Sequence, residues 1–245
     1  KKGPSTEFSE GQYMATMKVA SQMEELVTRH SAIMDKYDPA KKVALVVDEW
    51  GGWYDVEPGT NPGFLYQQNT MRDAMIAGVT LNIFNNHADR VRMANLAQSI
   101  NVLQAVILTN KEKIILTPTF HVMEMYNVHQ DAALIPLKIE SPKYINGKDS
   151  LDAVSVSASV DKNGITHVSL VNIDPAKTNT VSIDLGKAAY NQVSGRILVS
   201  ARIQDFNSFE DPAKIKPAIY SSATLKSGKL SVPLPPGSVV VLTLK

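Results

Sequence analysis

Cysteine is absent from the 245 residues, so disulfides, thiolate nucleophiles and zinc–thiolate centres are excluded, while the cytoplasm and an oxidising compartment fit equally well. Net charge is nearly absent too. Twenty-five Lys and Arg stand against 24 Asp and Glu, leaving a formal charge of +1 and no field to gather nucleic acid or an anionic membrane. No apolar run approaches the roughly 20 residues a spanning helix needs, and the opening stretch KKGPSTEFSE has no apolar segment of a secretion signal. The sequence as it stands reads as soluble and its location stays open, since an export signal would have been upstream. Phosphate-binding loops of the G-x-G-x-x-G or Walker kind are missing, as is the G-x-S-x-G elbow. His30, His121, His129 and His167 are scattered without metal-ligand spacing, so they read as structural or exposed.

What the sequence does contain changes character partway along. All nine Met lie at or before Met125, whereas eight of the thirteen Pro lie at or after Pro136. That shift predicts a boundary near residue 130, with one domain over 1–130 and a second over 131–245. Hydrophobic residues make up 44% of the chain, enough for real cores. In the first part, Ser9 and Gln12 form an S-x-x-Q capping box that predicts a helix running to Tyr37, stopped by Pro39. Tyr13, Met17, Ala20, Met23, Val27, His30 and Met34 make its apolar stripe. Val43 to Val47 is a continuous apolar run and predicts a parallel strand buried between helices. A loop rich in Gly and Pro follows, then a helix from about Tyr66 to Phe84, a weaker strand over Val91 to Gln98, and a helix over Pro118 to Val128 with Pro118 in its first turn. Helix, strand, helix, strand, helix is the grammar of a (β/α) barrel or an open α/β sheet.

From Leu151 the runs turn β-like: Val154–Val160, Ile165–Ile173, Thr180–Leu185, Arg196–Val199 and Val239–Leu244, with Asp161 to Gly164 and Asp174-Pro175 as turns. A β-sandwich is the natural closure.

The strongest chemical signal is Asp48-Glu49-Trp50-Gly51-Gly52-Trp53-Tyr54, which holds both tryptophans of the chain just beyond the predicted buried strand. A carboxylate beside flat rings suits sugar chemistry, because sugar C–H faces stack on rings while an ionised acid stabilises an oxocarbenium-like centre. The alternative is that the tryptophans pack over a barrel mouth and the acids pair with Arg or Lys; spacing alone leaves both open. If the strand persists, Asp48 and Glu49 point to opposite faces, so one enters the site and the other makes structural hydrogen bonds. Asn85-Asn86-His87-Ala88-Asp89-Arg90 fits a ligand loop, but fits better a helix end with local hydrogen bonds.

Together with Val47 to Tyr54, the stretches His87 to Gln98, Asn101-Val102-Leu103-Gln104, Thr117 to Val122 and Pro233 to Val239 resemble the α-L-arabinofuranosidases of glycoside hydrolase family 51. The resemblance runs over nearly the whole chain and is strongest over 43–145. It implies an α/β plus all-β architecture: the C-terminal portion of a (β/α)8 TIM barrel over 1–130, then a jelly-roll-like antiparallel β-sandwich over 131–245. It implies a retaining hydrolase releasing terminal α-L-arabinofuranosyl groups from arabinan, arabinoxylan or arabino-oligosaccharides. By position, Glu49 matches the nucleophile, Trp53 an aromatic bordering the sugar, and Gln98 a glutamine that hydrogen-bonds it; Asp48 and Trp50 take supporting roles. No metal or organic cofactor is implied, since a carboxyl pair suffices, and self-association is expected. The family's acid/base, a glutamate following Asn near the fourth barrel strand, has no matching segment in this sequence. Two strands cannot close a barrel, so the missing N-terminal barrel half is an expected partner. Beside the arabinofuranosidase reading stands another: a non-catalytic fragment whose β-sandwich serves assembly or carbohydrate contact.

Overall fold

The computed structural model describes residues 3–96, 98–186, 188 and 190–245. Lys1 and Lys2 of the opening stretch and Ala97 of the second motif lie outside them. The first helix, α1 (Glu10–Tyr37), starts and stops where its local chemistry directs. The Ser9 amide donates to the Gln12 side chain at 2.8 Å while the Gln12 amide donates to Ser9 Oγ at 3.2 Å, so two orphan helix donors are satisfied at once. Tyr13, Met14, Met17 and Val27 form its buried face, whereas His30 of the expected stripe is exposed.

Strand β1 (Leu45–Val47), helix α2 (Met71–Asn86) and strand β2 (Val91–Ala94) follow, and β1 pairs with β2 in parallel. The apolar run does not become a strand buried between helices. Val43 is 60% exposed and Val46 43%, because among the described residues β2 is the only strand beside β1 and no layer covers its open side. The second helix begins at Met71 rather than Tyr66: Thr70 caps it, and Asp73 Oδ2 accepts from the Thr70 amide at 2.8 Å. β2 ends at Ala94, four residues before Gln98. The hairpin β3 (Ile107–Asn110) and β4 (Lys113–Leu116) leads to α3 (Pro118–Tyr126), whose end tightens into a 3-10 turn over Asn127–His129.

The remainder is β: β5 (Ala133–Leu134), β6 (Lys143–Asn146), β7 (Asp149–Asp152), β8 (Val154–Val160), β9 (Thr166–Asn172), β10 (Asn179–Asp184), β11 (Val193–Leu198), β12 (Ala218–Tyr220), β13 (Thr224–Lys226), β14 (Lys229–Leu234) and β15 (Ser238–Leu244). A six-stranded sheet in the order β12-β11-β15-β9-β8-β5 and a three-stranded sheet in the order β10-β14-β13 are antiparallel throughout, and β6 and β7 form a separate hairpin. The β8–β9 turn is the expected one: Asp161 Oδ1 accepts the amides of Asn163 and Ile165, with Gly164 at φ +77°.

Strand β9 is buried at all seven positions because the six-stranded sheet is covered on both faces. Leu230, Val232 and Leu234 of β14 join its core on one side, while α2 and α3 pack on the other. Thirteen of the sixteen α2 residues are buried, an all-round burial that explains its weakly amphipathic sequence. Gly78 is the point of closest approach, where a Cβ would stand 2.6 Å from Val171 Cγ2. Gly78→Ala adds helix propensity of about 1 kcal/mol but overpacks this contact by about 1–3 kcal/mol. A net loss of about 1 kcal/mol in urea unfolding is expected; a more stable variant would show that helix and sheet can part without cost.

Toward the end of α2 the facing strand β8 is polar. Asn82 Nδ2 donates to Ser155, Ser157 donates to Asn82 Oδ1 at 2.8 Å, Asn85 donates to Ser157, and Asn86 to the Val156 carbonyl. His129 sits between Ser159 at 2.7 Å and Ser169 at 2.6 Å.

Candidate active site

The acidic pair lies just past the carboxyl end of β1. Because β1 stops at Val47, Asp48 and Glu49 are not alternating strand positions; both are exposed in the loop that follows. Among the described residues neither carboxylate is engaged in a hydrogen bond or ion pair, which leaves both oxygens of Glu49 open for chemistry. Trp50 turns inward against Phe84 of α2, with ring centroids 6.1 Å apart at 77°. Trp53 is 51% exposed. The sequence therefore separates the two indoles, one packed and one presented.

Gln98 follows the end of the neighbouring strand β2. Val47 and Ala94 are paired across the parallel ladder, and the Asn95 amide donates to the Val47 carbonyl at 2.8 Å. Glu49 lies two residues beyond one strand end and Gln98 four beyond its neighbour, so both leave from the same end. Gln98 is exposed and holds a left-handed backbone at φ 61°, as do Asn101 at 59° and Gln104 at 54°. Such conformations in non-glycine residues concentrate at functional loops.

A second tier of residues, not singled out from the sequence, holds the loop. Gln67 accepts from the Tyr54 amide at 2.9 Å and donates to the Gly52 carbonyl at 3.3 Å. Gly51, at φ +110°, abuts Gln104, whose side-chain amide donates to Asp73 Oδ1 at 2.9 Å. Burial, and then the charge of Asp73, hold the Tyr54 phenol well above its ordinary range, so it stays neutral. The loop borders a groove of about 560 Å³ that includes Gln12, Thr16 and Met23 of α1 and Ile76 of α2. The one legible signal for this tier was Arg72-Asp73, a charged pair opening an otherwise apolar helix.

The Asn85 to Arg90 stretch is a helix end. His87 caps α2 and meets Glu24 at 2.7 Å. Arg90 is buried, paired with Asp35 and with Asp38 at 2.8 Å, and donates to the carbonyls of Val43 and Asp38. The Val43 amide, followed by Arg90, holds the Asp38 carboxyl below the usual carboxylate range. This knot fastens the end of α1 to the start of β1. Among the described residues no group of three or more His, Asp or Glu is placed to hold a metal, and no helix is long and apolar enough to cross a membrane.

Residues 48–238 match the family model described as the alpha-L-arabinofuranosidase C-terminal domain. The whole chain is 42% identical over 245 residues to an intracellular exo-alpha-L-arabinofuranosidase of Bacteroides ovatus, covering 48% of that protein. An intracellular exo-alpha-(1->5)-L-arabinofuranosidase of Halalkalibacterium halodurans is 33% identical over 156 residues, 56% of this chain and 30% of that protein. Among solved structures, the family 51 arabinofuranosidase of Xanthomonas axonopodis pv. citri superposes over all of this chain and 50% of its own, with a TM-score of 0.98 and 46% identity. The Thermotoga maritima enzyme, at 22% identity and a TM-score of 0.76 over 91% of this chain and 48% of its own, shares the fold. The chain spans about half the length, or less, of the curated relatives named here.

Proposed function

The chain belongs to the α-L-arabinofuranosidases of glycoside hydrolase family 51, and from that premise we propose that it supplies the nucleophile of a retaining arabinofuranosidase, with Glu49 in that role. The observation that carries this is the shared strand end: Glu49 and Gln98 leave neighbouring parallel strands on the carboxyl side, where barrel enzymes place their chemistry. Glu49 Oε attacks the anomeric carbon of a terminal arabinofuranosyl group as the bond to the leaving oxygen breaks, and a second carboxylic acid protonates that oxygen. Water, deprotonated by the same second group, then displaces Glu49 and restores the starting configuration. Trp53 stacks on the sugar and Gln98 hydrogen-bonds it, while Asp48 and Trp50 support the loop.

The second carboxyl group has to stand about 5–5.5 Å from Glu49 for retention. We assign it to polypeptide outside these 245 residues, consistent with a chain half the length of its relatives. In this reading residues 1–130 belong to the catalytic barrel and 131–245 to the sandwich. The substrate class is arabinofuranose-containing oligo- or polysaccharide.

The test compares aryl α-L-arabinofuranoside, β-xyloside and β-glucoside as substrates for the 245-residue chain and for a longer protein containing the rest of the barrel. Negligible turnover by the chain, and arabinofuranoside turnover at least about 100-fold above the other two by the longer protein, is expected. Full-rate hydrolysis by the chain alone would sink the assignment of the acid elsewhere, and preference for xyloside would change the sugar.

A further inference from the structure

We propose that Arg72 is the positioning residue of the loop that follows Glu49, holding Trp53 in place by clamping Tyr54; the functional part of this rests on the reading of Glu49 given above. Arg72 is buried in the first turn of α2, where an uncompensated charge is costly. Its charge is met by ring faces and carbonyls. The guanidinium carbon stands 3.5 Å from the Tyr54 ring centroid and 3.9 Å from that of Phe8. Nη2 donates to the Ser5 carbonyl at 2.9 Å and the Pro4 carbonyl at 3.4 Å. A planar cation stacked between two rings and forked onto backbone oxygens is a geometry that arginine satisfies and lysine does not.

Through this clamp two distant segments are joined to the site loop. The strap over residues 3–8 also meets it where Ser5 donates to Glu57 and where the Asp55 amide donates to the Gly3 carbonyl at 2.9 Å. Tyr54 is thereby fixed from three sides: Arg72 on its ring, Gln67 on its amide, and Gly52 against its hydroxyl, where a Cβ would overlap the oxygen. Gly51 is pinned at the other end by Gln104, itself bonded to Asp73. Trp53 lies between the two pins, so the backbone that carries its half-exposed indole is fixed on both sides. A site built this way is preorganised by groups that never touch the sugar.

Both tryptophans of the chain lie in this loop, so intrinsic fluorescence reads it without a label. In the 245-residue chain, Arg72→Met is expected to raise acrylamide quenching about twofold and shift emission to the red, with unchanged far-ultraviolet circular dichroism. Arg72→Lys keeps the charge and falls between parent and Arg72→Met; it carries the test if Arg72→Met does not fold. In the longer protein, Arg72→Met raises KM for aryl α-L-arabinofuranoside about 10-fold while kcat changes less than about 3-fold, because sugar stacking is lost and the nucleophile remains. Parent-like quenching in the folded variants overturns the proposal, as does a loss confined to kcat that tracks the folded fraction. Glu49→Gln run alongside separates the two readings: if it keeps its turnover, the nucleophile assignment fails, while quenching still decides the role of Arg72.

Discussion

In a longer protein carrying the complete barrel, Glu49→Gln is expected to lower kcat for an aryl α-L-arabinofuranoside by at least about 10⁴-fold, since removing one member of a catalytic unit costs about 10⁴- to 10⁶-fold. Glutamine preserves the size of the side chain and its hydrogen bonding but cannot form the glycosyl ester. Nothing in the fold leans on this carboxylate: it lies beyond the end of β1, exposed and without a hydrogen bond or ion pair among the described residues. Urea unfolding of the variant should therefore match the parent, which separates lost chemistry from lost structure. Glu49→Ala offers a sharper form of the same test. Azide can enter the space left by the carboxylate, and attack on the face that Glu49 would have used gives a glycosyl azide of inverted configuration. An azide product that keeps the starting configuration would instead identify Glu49 as the acid/base. Unchanged kcat in Glu49→Gln would remove it from the mechanism.

The second large effect is on stability in mild acid. His129 is held by Ser159 of β8 and Ser169 of β9, with His167 of β9 at 6.5 Å between ring centroids and Tyr126 of α3 at 5.6 Å. His167 in turn faces Asp161 at 3.4 Å and Thr243 of β15 at 3.3 Å. Burial first, and the neighbouring His167 second, push the His129 pKa down to about 4 from 6.5. The folded protein therefore keeps the ring neutral while the unfolded chain takes up its proton as pH falls through 6.5. Stability attributable to His129 is intact above that pH, declines between 6.5 and 4, and stays low below 4. A shift of that size corresponds to about 3 kcal/mol. His129→Gln, which keeps hydrogen-bonding capacity without titrating, should flatten this part of the profile measured by urea unfolding at successive pH values. The carboxylates held below their ordinary range, Asp38, Asp89, Asp149, Asp161 and Asp205, lose their contribution from about pH 5 downward, and His121, which burial also holds below its ordinary range, acts in the same window; both are common to parent and variant, so the difference between the two profiles isolates His129. A parent-like slope in His129→Gln would assign the acid lability elsewhere.

Local chemistry made much of this fold legible. The Ser9–Gln12 box marked the start of α1 to the residue, and alternation or continuous apolar runs marked β8, β9 and β15, whose ends coincide with turns set by Asp161 and Gly237. What escaped depends on partners far away in sequence. β12 and β13 are three residues each and exist only because β11 and β14 pair with them. β14 contains Pro233, a residue that argues against a strand, tolerated here opposite Thr180 in a three-stranded sheet. β1 reads as buried from composition, yet lies open on one side because burial is a property of neighbours. At the site, Glu49, Trp53 and Gln98 stood out through a motif, whereas Arg72 showed only as half of a charged pair opening an apolar helix, Gln104 only as the end of a resembling stretch, and Gln67 not at all: their work is defined by groups that folding brings to them.

Helix α2 carries a consequence for how such a protein can change over time. Its first turn fastens the loop beside Glu49, its middle rests on β9 at Gly78, and its end bonds the serines of β8. The sandwich is therefore no detachable accessory. A recombination that exchanged the strands alone would set Asn82, Asn85 and Asn86 of this helix against a sheet without their serine and carbonyl partners. Val171 and Ser157, through Gly78 and Asn85, therefore constrain what α2 can accept.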